Sequence, residues 1–433
     1  MRLSIGNLSL EFNWKTILMD GILLKHIHVS KGYVEYKFEV TGILKQYFTT
    51  DTLFIDYQED VSSVPQSILV APFVASLLPL MWVTNTVMWV EQIDQAFYDS
   101  IFKVKEAYQR LFFHYPLKGN LIPARFVDNK LDVKREALLL FSGGVDANCS
   151  YVRIHQKNPI LFNIQGWYNQ LSDENIAADA DIRDITEFAQ REKLDFTYAK
   201  SNFAVIVNAD LWSKHIQPKL GASWWFGFQH SMAFISIAIP LAYKLGVRAI
   251  YIASSIPMGE FMLCASHVTT DSEFRYADVG KCVHDGSELV RQDKVKVIVD
   301  YQKKNGKPYP MRVCSFNDRN CCECEKCFRT VLGLVAETAD VKDFGFYLDK
   351  PLKEYWYDVM YRRSGLMGFD SEKIHWPYII PRMKANYDKM NQEQQEFVDW
   401  FLTFDFAKMQ KESRMRYYKQ NFFSILKRKL RVK

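Results

Sequence analysis

Residues Leu138-Leu139-Leu140-Phe141-Ser142-Gly143-Gly144-Val145-Asp146-Ala147-Asn148 run from an apolar stretch through two glycines into a polar helix start. The pattern reads as strand, tight turn and helix. Two glycines let the backbone turn sharply and approach a ligand closely. The turn's amides and the first N–H groups of the helix then converge on one point, as phosphate oxygens require. Ser142 adds a hydroxyl donor. Asp146 is suited to hold a Mg²⁺ that bridges phosphates. Ser142, Gly143, Gly144, Val145 and Asp146 are therefore the candidate phosphate-binding residues.

Further strand signals follow this loop at Pro159–Ile164 and, more weakly, Asp195–Ala199. A long apolar helix is expected from Phe226 to Leu245, followed by a strand over Arg248–Ala253. Strands alternating with helices imply an α/β fold, a parallel sheet with flanking helices. Upstream, the first 60 residues are β-rich. Val34, Tyr36, Phe38 and Val40 alternate with Glu35, Lys37 and Glu39, and Lys31-Gly32 is a hairpin turn before them. Val61–Val90 carries no charged residue, but Pro65, Pro72 and Pro79 interrupt it. It reads as a buried strand, a turn and a buried helix start rather than a membrane span. Glu91–Phe113 has helical spacing, and residues 114–133, with Pro116, Gly119 and Pro123, read as a linker. Beyond about residue 340 the chain reads as helical. Three domains are expected: an N-terminal α+β domain over 1–130, a phosphate-loop domain over 131–340 and a helical region over 341–433.

The net charge of +5 over 433 residues hides an asymmetry. The segment from Lys408 to Lys433 carries about +9, which leaves about −4 for the rest. Aromatic residues interleave the basic ones there. Three readings of this tail stand side by side: a helix docked on its own protein, a contact with an anionic membrane surface, or a contact with nucleic acid. Met1–Trp14 lacks the charged start, apolar run and small-residue cleavage site of a secretory signal, which points to a cytoplasmic protein.

Five of the eight cysteines fall between Cys314 and Cys327. Cys314, Cys321, Cys324 and Cys327 offer four thiolates to one tetrahedral Zn²⁺, and Cys-x2-Cys spacing lets a tight turn present two of them. Four protein ligands close the coordination sphere, so the role assigned to the metal is structural; a redox relay or an iron–sulfur cluster is the alternative reading. Cys322 is left over, and Cys321 and Cys322 are open to exchanging roles.

Ser142-Gly143-Gly144-Val145-Asp146 resembles the SGGxD[ST] motif of the PP-loop ATP pyrophosphatases. Together with the cysteine set and the Arg329 that follows it, residues 135–335 resemble the 7-cyano-7-deazaguanine synthases (QueC) and their relatives. The resemblance implies a HUP/PP-loop fold and ATP cleaved between its α and β phosphates. A carboxylate or amide would be adenylated and nitrogen then transferred to it. ATP, Mg²⁺ and Zn²⁺ are the implied cofactors. A small molecule or a protein is the implied acceptor, and partner proteins encoded alongside could take part. The chain departs from the pattern at Ala147, where the family has Ser or Thr. Gly227, Gln229 and His230 stand where the family has an Arg-Asn pair.

Gln229 and His230, at the start of the apolar helix, and His267 and Asp271, in the loop after strand 248–253, are further candidates for contact with nucleotide or substrate. Arg291 and Lys294 lie three apart on one helical face. They are candidate catalytic residues that would steady the charge built up during adenylation. Two rival functions remain: sulfur transfer to a tRNA base, with Cys149, Cys282 or Cys322 as the thiol, and a nucleotide-binding sensor or assembly subunit without turnover.

Overall fold

The computed structural model describes residues 2–5, 8–11, 20–167, 176–260, 262–314, 317–363 and 371–430. The chain forms two compact units: Met1–Ser142 with Arg153–Glu288, and Gly143–Val152 with Leu289–Lys433.

The first unit is an α/β body. Its strands are β1 (Arg2–Ile5), β2 (Leu8–Glu11), β3 (Gly21–Ser30), β4 (Tyr33–Val40), β5 (Thr52–Tyr57), β6 (Val87–Asp94), β7 (Asn120–Val127), β8 (Arg135–Leu140), β9 (Ile160–Gln165), β10 (Phe196–Ser201), β11 (Val247–Ala253), β12 (Arg275–Tyr276) and β13 (Gly280–Asp285). Among the described residues β1 and β2 pair only with each other. The other eleven form one mixed sheet, in the order β12-β13-β11-β8-β9-β10-β5-β4-β3-β6-β7. Five consecutive neighbours, β13-β11-β8-β9-β10, are parallel. The chain leaves β8 toward β9 and β10, then returns to β8's other side as β11 and β13. The strand order therefore reverses at β8, the place where open α/β sheets open a crevice for ligands.

The β-rich N-terminal segment continues this sheet. β5 pairs antiparallel with β10, matching Ile55 to Ser201 and Tyr57 to Ala199. The boundary expected at residue 130 thus falls within the first unit. Alternation within a strand reports which face is buried and carries no information about which edge will be joined. The β3–β4 hairpin turns at Lys31, whose φ is 54°. Gly32 is required beside it, because a Cβ there would sit 1.9 Å from the Tyr57 carbonyl oxygen. Val34, Tyr36 and Phe38 face the core as the alternation predicts.

Two segments differ from expectation. The uncharged stretch is helical over Gln66–Leu69 and Ala71–Thr84, and the strand comes after it, as β6. Pro72 occupies the helix's first turn, where no N–H is needed, and Asn85 closes the helix in the left-handed conformation at φ 54°. Pro79 lies inside the helix, a position proline usually disfavours. A continuous apolar run has no periodicity to separate strand from helix. β6 also takes Glu91–Asp94, so the next helix begins at Gln95, where the Asp94 carboxylate accepts from Phe97 N–H at 2.9 Å. The supposed linker contains β7, parallel to β6 and at the end of the sheet, where an edge strand tolerates Pro123.

The helices Gln66–Thr84 and Trp225–Lys244 are long and apolar enough to cross a membrane, yet 94% and 78% of their apolar windows are buried within the protein. They pack against one another. The second opens with a π-helical turn over Trp225–Gln229 before the α-helix His230–Lys244.

The second unit is mostly helical. Its helices Arg291–Asn305, Glu325–Ala336, Leu352–Arg363, Trp376–Asn386, Gln392–Thr403 and Phe406–Leu430 follow in chain order. Trp356 anchors their core, with ring centroids 4.8 Å from Phe328, 4.9 Å from Phe401 and 5.7 Å from Trp376. The basic tail begins in the last helix. There Arg416 stacks 3.3 Å over the Tyr361 ring and Ser413 donates to the Tyr361 carbonyl. Residues 431–433 of the tail lie outside the described residues.

Candidate functional site

β8 runs directly into the loop. Ser142 is exposed, and Gly143 has φ 74°, a conformation that glycine adopts without strain. The helix Val145–Ile154 follows, and its first N–H groups have no carbonyl one turn earlier to bind. Asn148 holds the turn in shape. Its Nδ2 donates to the carbonyls of Gly143 at 2.7 Å and Gly144 at 2.9 Å, while its Oδ1 accepts from the Tyr309 hydroxyl at 3.0 Å. Ala147 is buried, so the methyl packs inside the fold where the resembling motif carries a hydroxyl.

The structure brings Asp146 together with both candidate basic residues of the helix Arg291–Asn305. Lys294 Nζ donates to Oδ1 at 3.0 Å, and Arg291 NH1 lies 3.4 Å from Oδ2. Burial pushes the Asp146 carboxyl up, but Lys294 first and Arg291 second outweigh it, and the net effect holds the group below the usual carboxylate range. Lys294 is almost wholly buried. Burial, and then repulsion from Arg329, lowers Arg291 to about 10, which leaves it charged at neutral pH.

Arg329 extends this cationic group. Its NH1 lies 3.2 Å from Glu325 Oε2, one helical turn earlier, and 3.2 Å from His375 Nε2. Burial, with Arg329 and Arg291 nearby, pushes His375 down to about 4. The neutral ring therefore accepts the Arg329 hydrogen bond. An unfolded histidine takes up its proton near pH 6.5, well before this one does. The contribution of His375 to stability is thus complete above about pH 6.5 and is lost as pH falls from there toward 4. Urea unfolding of the wild type and of His375→Gln at pH 7 and pH 5 is expected to reveal this. The wild type should lose more stability on acidification, by up to about tenfold in the unfolding constant per pH unit. Equal losses in the two proteins would remove His375 from the account.

The remaining candidates lie in the first unit. Gln229 is fully buried and donates to the Phe203 carbonyl at 2.6 Å. His230 binds the Trp225 carbonyl through Nδ1 at 3.0 Å, packs against the Trp225 and Phe226 rings, and is lowered by burial. His267 caps the short helix Val268–Asp271 by accepting from Thr269 N–H. Asp271 is fully buried and accepts from Ser266 Oγ at 3.0 Å and His284 Nδ1 at 2.8 Å. Each makes the protein contacts of a structural residue.

Cys314, Cys321, Cys324 and Cys327 place their sulfurs within 4.8 Å of one another. A tetrahedral ion with Zn–S bonds of about 2.3 Å separates its sulfurs by about 3.8 Å. Cys324 and Cys327 are 3.5 Å apart and Cys321 and Cys327 are 3.9 Å apart. The N–H groups of Glu323 and Cys324 both point at Cys321 Sγ, at 3.4 and 3.3 Å, the contacts that stabilise a thiolate. Asn320 braces the loop from behind: it accepts from Val313 N–H at 2.9 Å and donates to the carbonyls of Met311 and Gly345. The four side chains could therefore bind a metal ion, and the set is compatible with zinc. Between Cys321 and Cys322 the structure chooses. Cys322 adopts φ 53°, turns its sulfur toward the Asn320 carbonyl, and is pushed up to about 11 by burial.

The chain matches no family model and no curated protein.

Proposed function

We propose that this protein is an ATP pyrophosphatase of PP-loop type that adenylates a carboxylate or amide and then transfers nitrogen to it. The observation that carries the reading is the Asp146–Lys294–Arg291 cluster at the start of the helix that follows the Ser142-Gly143-Gly144 turn. The reversal of strand order at β8 supports it, because open α/β sheets take their ligands at such a reversal.

On this reading, the N–H groups of the turn and helix start hold the β and γ phosphates, with Ser142 as an added donor. An acceptor oxygen attacks the α-phosphorus. The new O–P bond forms as the bond to the β-phosphate oxygen breaks, and pyrophosphate leaves. Lys294 and Arg291 neutralise the charge gathering on that leaving group. Ammonia then attacks the activated carbon and AMP departs. Asp146 is the residue that would hold Mg²⁺, whose contribution is to screen the phosphate charge. An ion arriving with the nucleotide would compete with Lys294 for Oδ1.

Nitrogen transfer is preferred to sulfur transfer because the three candidate thiols are not accessible. Cys149, Cys282 and Cys322 are all buried, and burial raises the last two, the reverse of what a reactive thiol needs.

ATP labelled at the α position, supplied with cell extract as a source of acceptor, tests the reading. Label is expected in AMP or in an adenylylated species. Label passing directly to ADP would overturn the assignment, and no Gly-x4-Gly-Lys-[Ser/Thr] string is present to favour that outcome.

A further inference from the structure

A narrow recess in the second unit is lined by Arg291, Gln292, Arg329, His375 and Tyr378, together with two aliphatic residues and no carboxylate. Two guanidiniums therefore share one opening. Each already faces one protein carboxylate, Asp146 for Arg291 and Glu325 for Arg329, yet donors are left over. Arg291 reaches Asp146 and Thr330 only at 3.4 Å each. Arg329 has its Nε buried without an acceptor among the described residues. Paired planar forks of this kind match the oxygens of a carboxylate or a phosphoryl group, and an anion between them would relieve their mutual repulsion.

We propose that this recess is an oxyanion subsite for one phosphoryl or carboxylate group, with His375 as the positioning residue that holds Arg329 in place. His375 Nε2 accepts from Arg329 NH1 at 3.2 Å. Without that acceptor, Glu325 alone directs the guanidinium. His375 and Tyr378 lie in the helical region beyond residue 340, so that region is part of the binding machinery. The inference rests on the phosphate-loop reading, because Arg291 serves both the loop's Asp146 and the recess. The group bound is then either the end of the nucleotide's phosphate chain or the acceptor's carboxylate.

Calorimetric titration of the full chain with inorganic pyrophosphate, and separately with citrate, distinguishes the two sources. The proteins compared are the wild type, Arg329→Gln, His375→Leu and His375→Gln, which keeps an acceptor oxygen. One probe is expected to bind about ten- to a hundred-fold more weakly to Arg329→Gln and His375→Leu, the range set by a charged hydrogen bond. His375→Gln should stay within about threefold of the wild type, because it restores the acceptor. A response to pyrophosphate assigns the recess to nucleotide phosphates, and a response to citrate assigns it to the acceptor. The proposal is overturned if neither probe binds the wild type, or if both bind Arg329→Gln and His375→Leu undiminished. Circular dichroism and metal content report folding. If Arg329→Gln proves misfolded, Arg329→Lys, which keeps the charge and loses the fork, takes its place with the same expectation. Label from α-labelled ATP in ADP, with these binding losses intact, would sink the enzyme assignment alone. Label in AMP with both probes indifferent would sink the recess alone.

Discussion

Chelating the metal ion that the Cys314–Cys327 loop could bind, or replacing Cys324 with serine, is expected to unfold that loop. The four sulfurs converge within 4.8 Å, the spacing that a shared ion would hold. Among the described residues between Cys314 and Cys327 the buried ones are themselves cysteines. A structural zinc contributes on the order of 10 kcal/mol to the folding of such a site, several times the stability a short loop can supply. The helix Glu325–Ala336 starts inside the loop and carries Phe328 into the Trp356 cluster. Loss of the ion should therefore spread beyond the loop into the helices packed there. Elemental analysis should find about one zinc per chain. Limited proteolysis after chelation, and of Cys324→Ser, should cut near residues 311–345. Cys322→Ser should leave zinc content unchanged, because its sulfur lies outside the set. A metal-free protein that resists protease as the loaded one does would end the assignment.

Asp146→Asn should lower AMP formation by at least about a hundred-fold, a drop typical of removing one group that handles transition-state charge. Asparagine matches the shape of aspartate, so the backbone turn held by Asn148 is retained. What is lost is the negative charge that Lys294 and Arg291 face. The effect on folding is smaller, about 1–3 kcal/mol, because Asp146 is 28% exposed while its partner Lys294 is nearly buried. The two effects are separable by measuring AMP release and the urea midpoint on the same preparation. Lys294→Met provides the second arm. If the pair acts as a unit, the double variant should be little slower than the worse single variant. Unchanged turnover in Asp146→Asn would remove the carboxylate from the mechanism.

Much of the local architecture was legible in the residues. The glycine turn after Leu140, the alternation of Val34, Tyr36 and Phe38, the strands near 160–164 and 248–253, and the four-cysteine spacing all act over a few residues. Each encodes a backbone conformation or a ligand spacing directly. The order of helix and strand in Val61–Val90 is not legible, because an apolar run without periodicity suits a buried helix and a buried strand equally. β7 is hidden in the sequence because Pro116 and Gly119 mark a turn, while the edge position that admits Pro123 is a property of the finished sheet.

The sequence by itself determined the turn at Ser142-Gly143-Gly144, a cluster of cysteines with metal-ligand spacing, and the presence of alternating strands and helices. Those features depend on φ, on side-chain chemistry and on short spacings, which the chain carries wherever it folds. Only the tertiary structure decided that β5 joins β10, that Cys321 and not Cys322 faces the other thiols, that Lys294 and Arg291 both reach Asp146, and that His375 meets Arg329. These pairings link segments that are distant in the chain, or turn on a single side-chain direction. Burial and packing select them, because a buried charge must find its partner in whatever element the fold brings beside it.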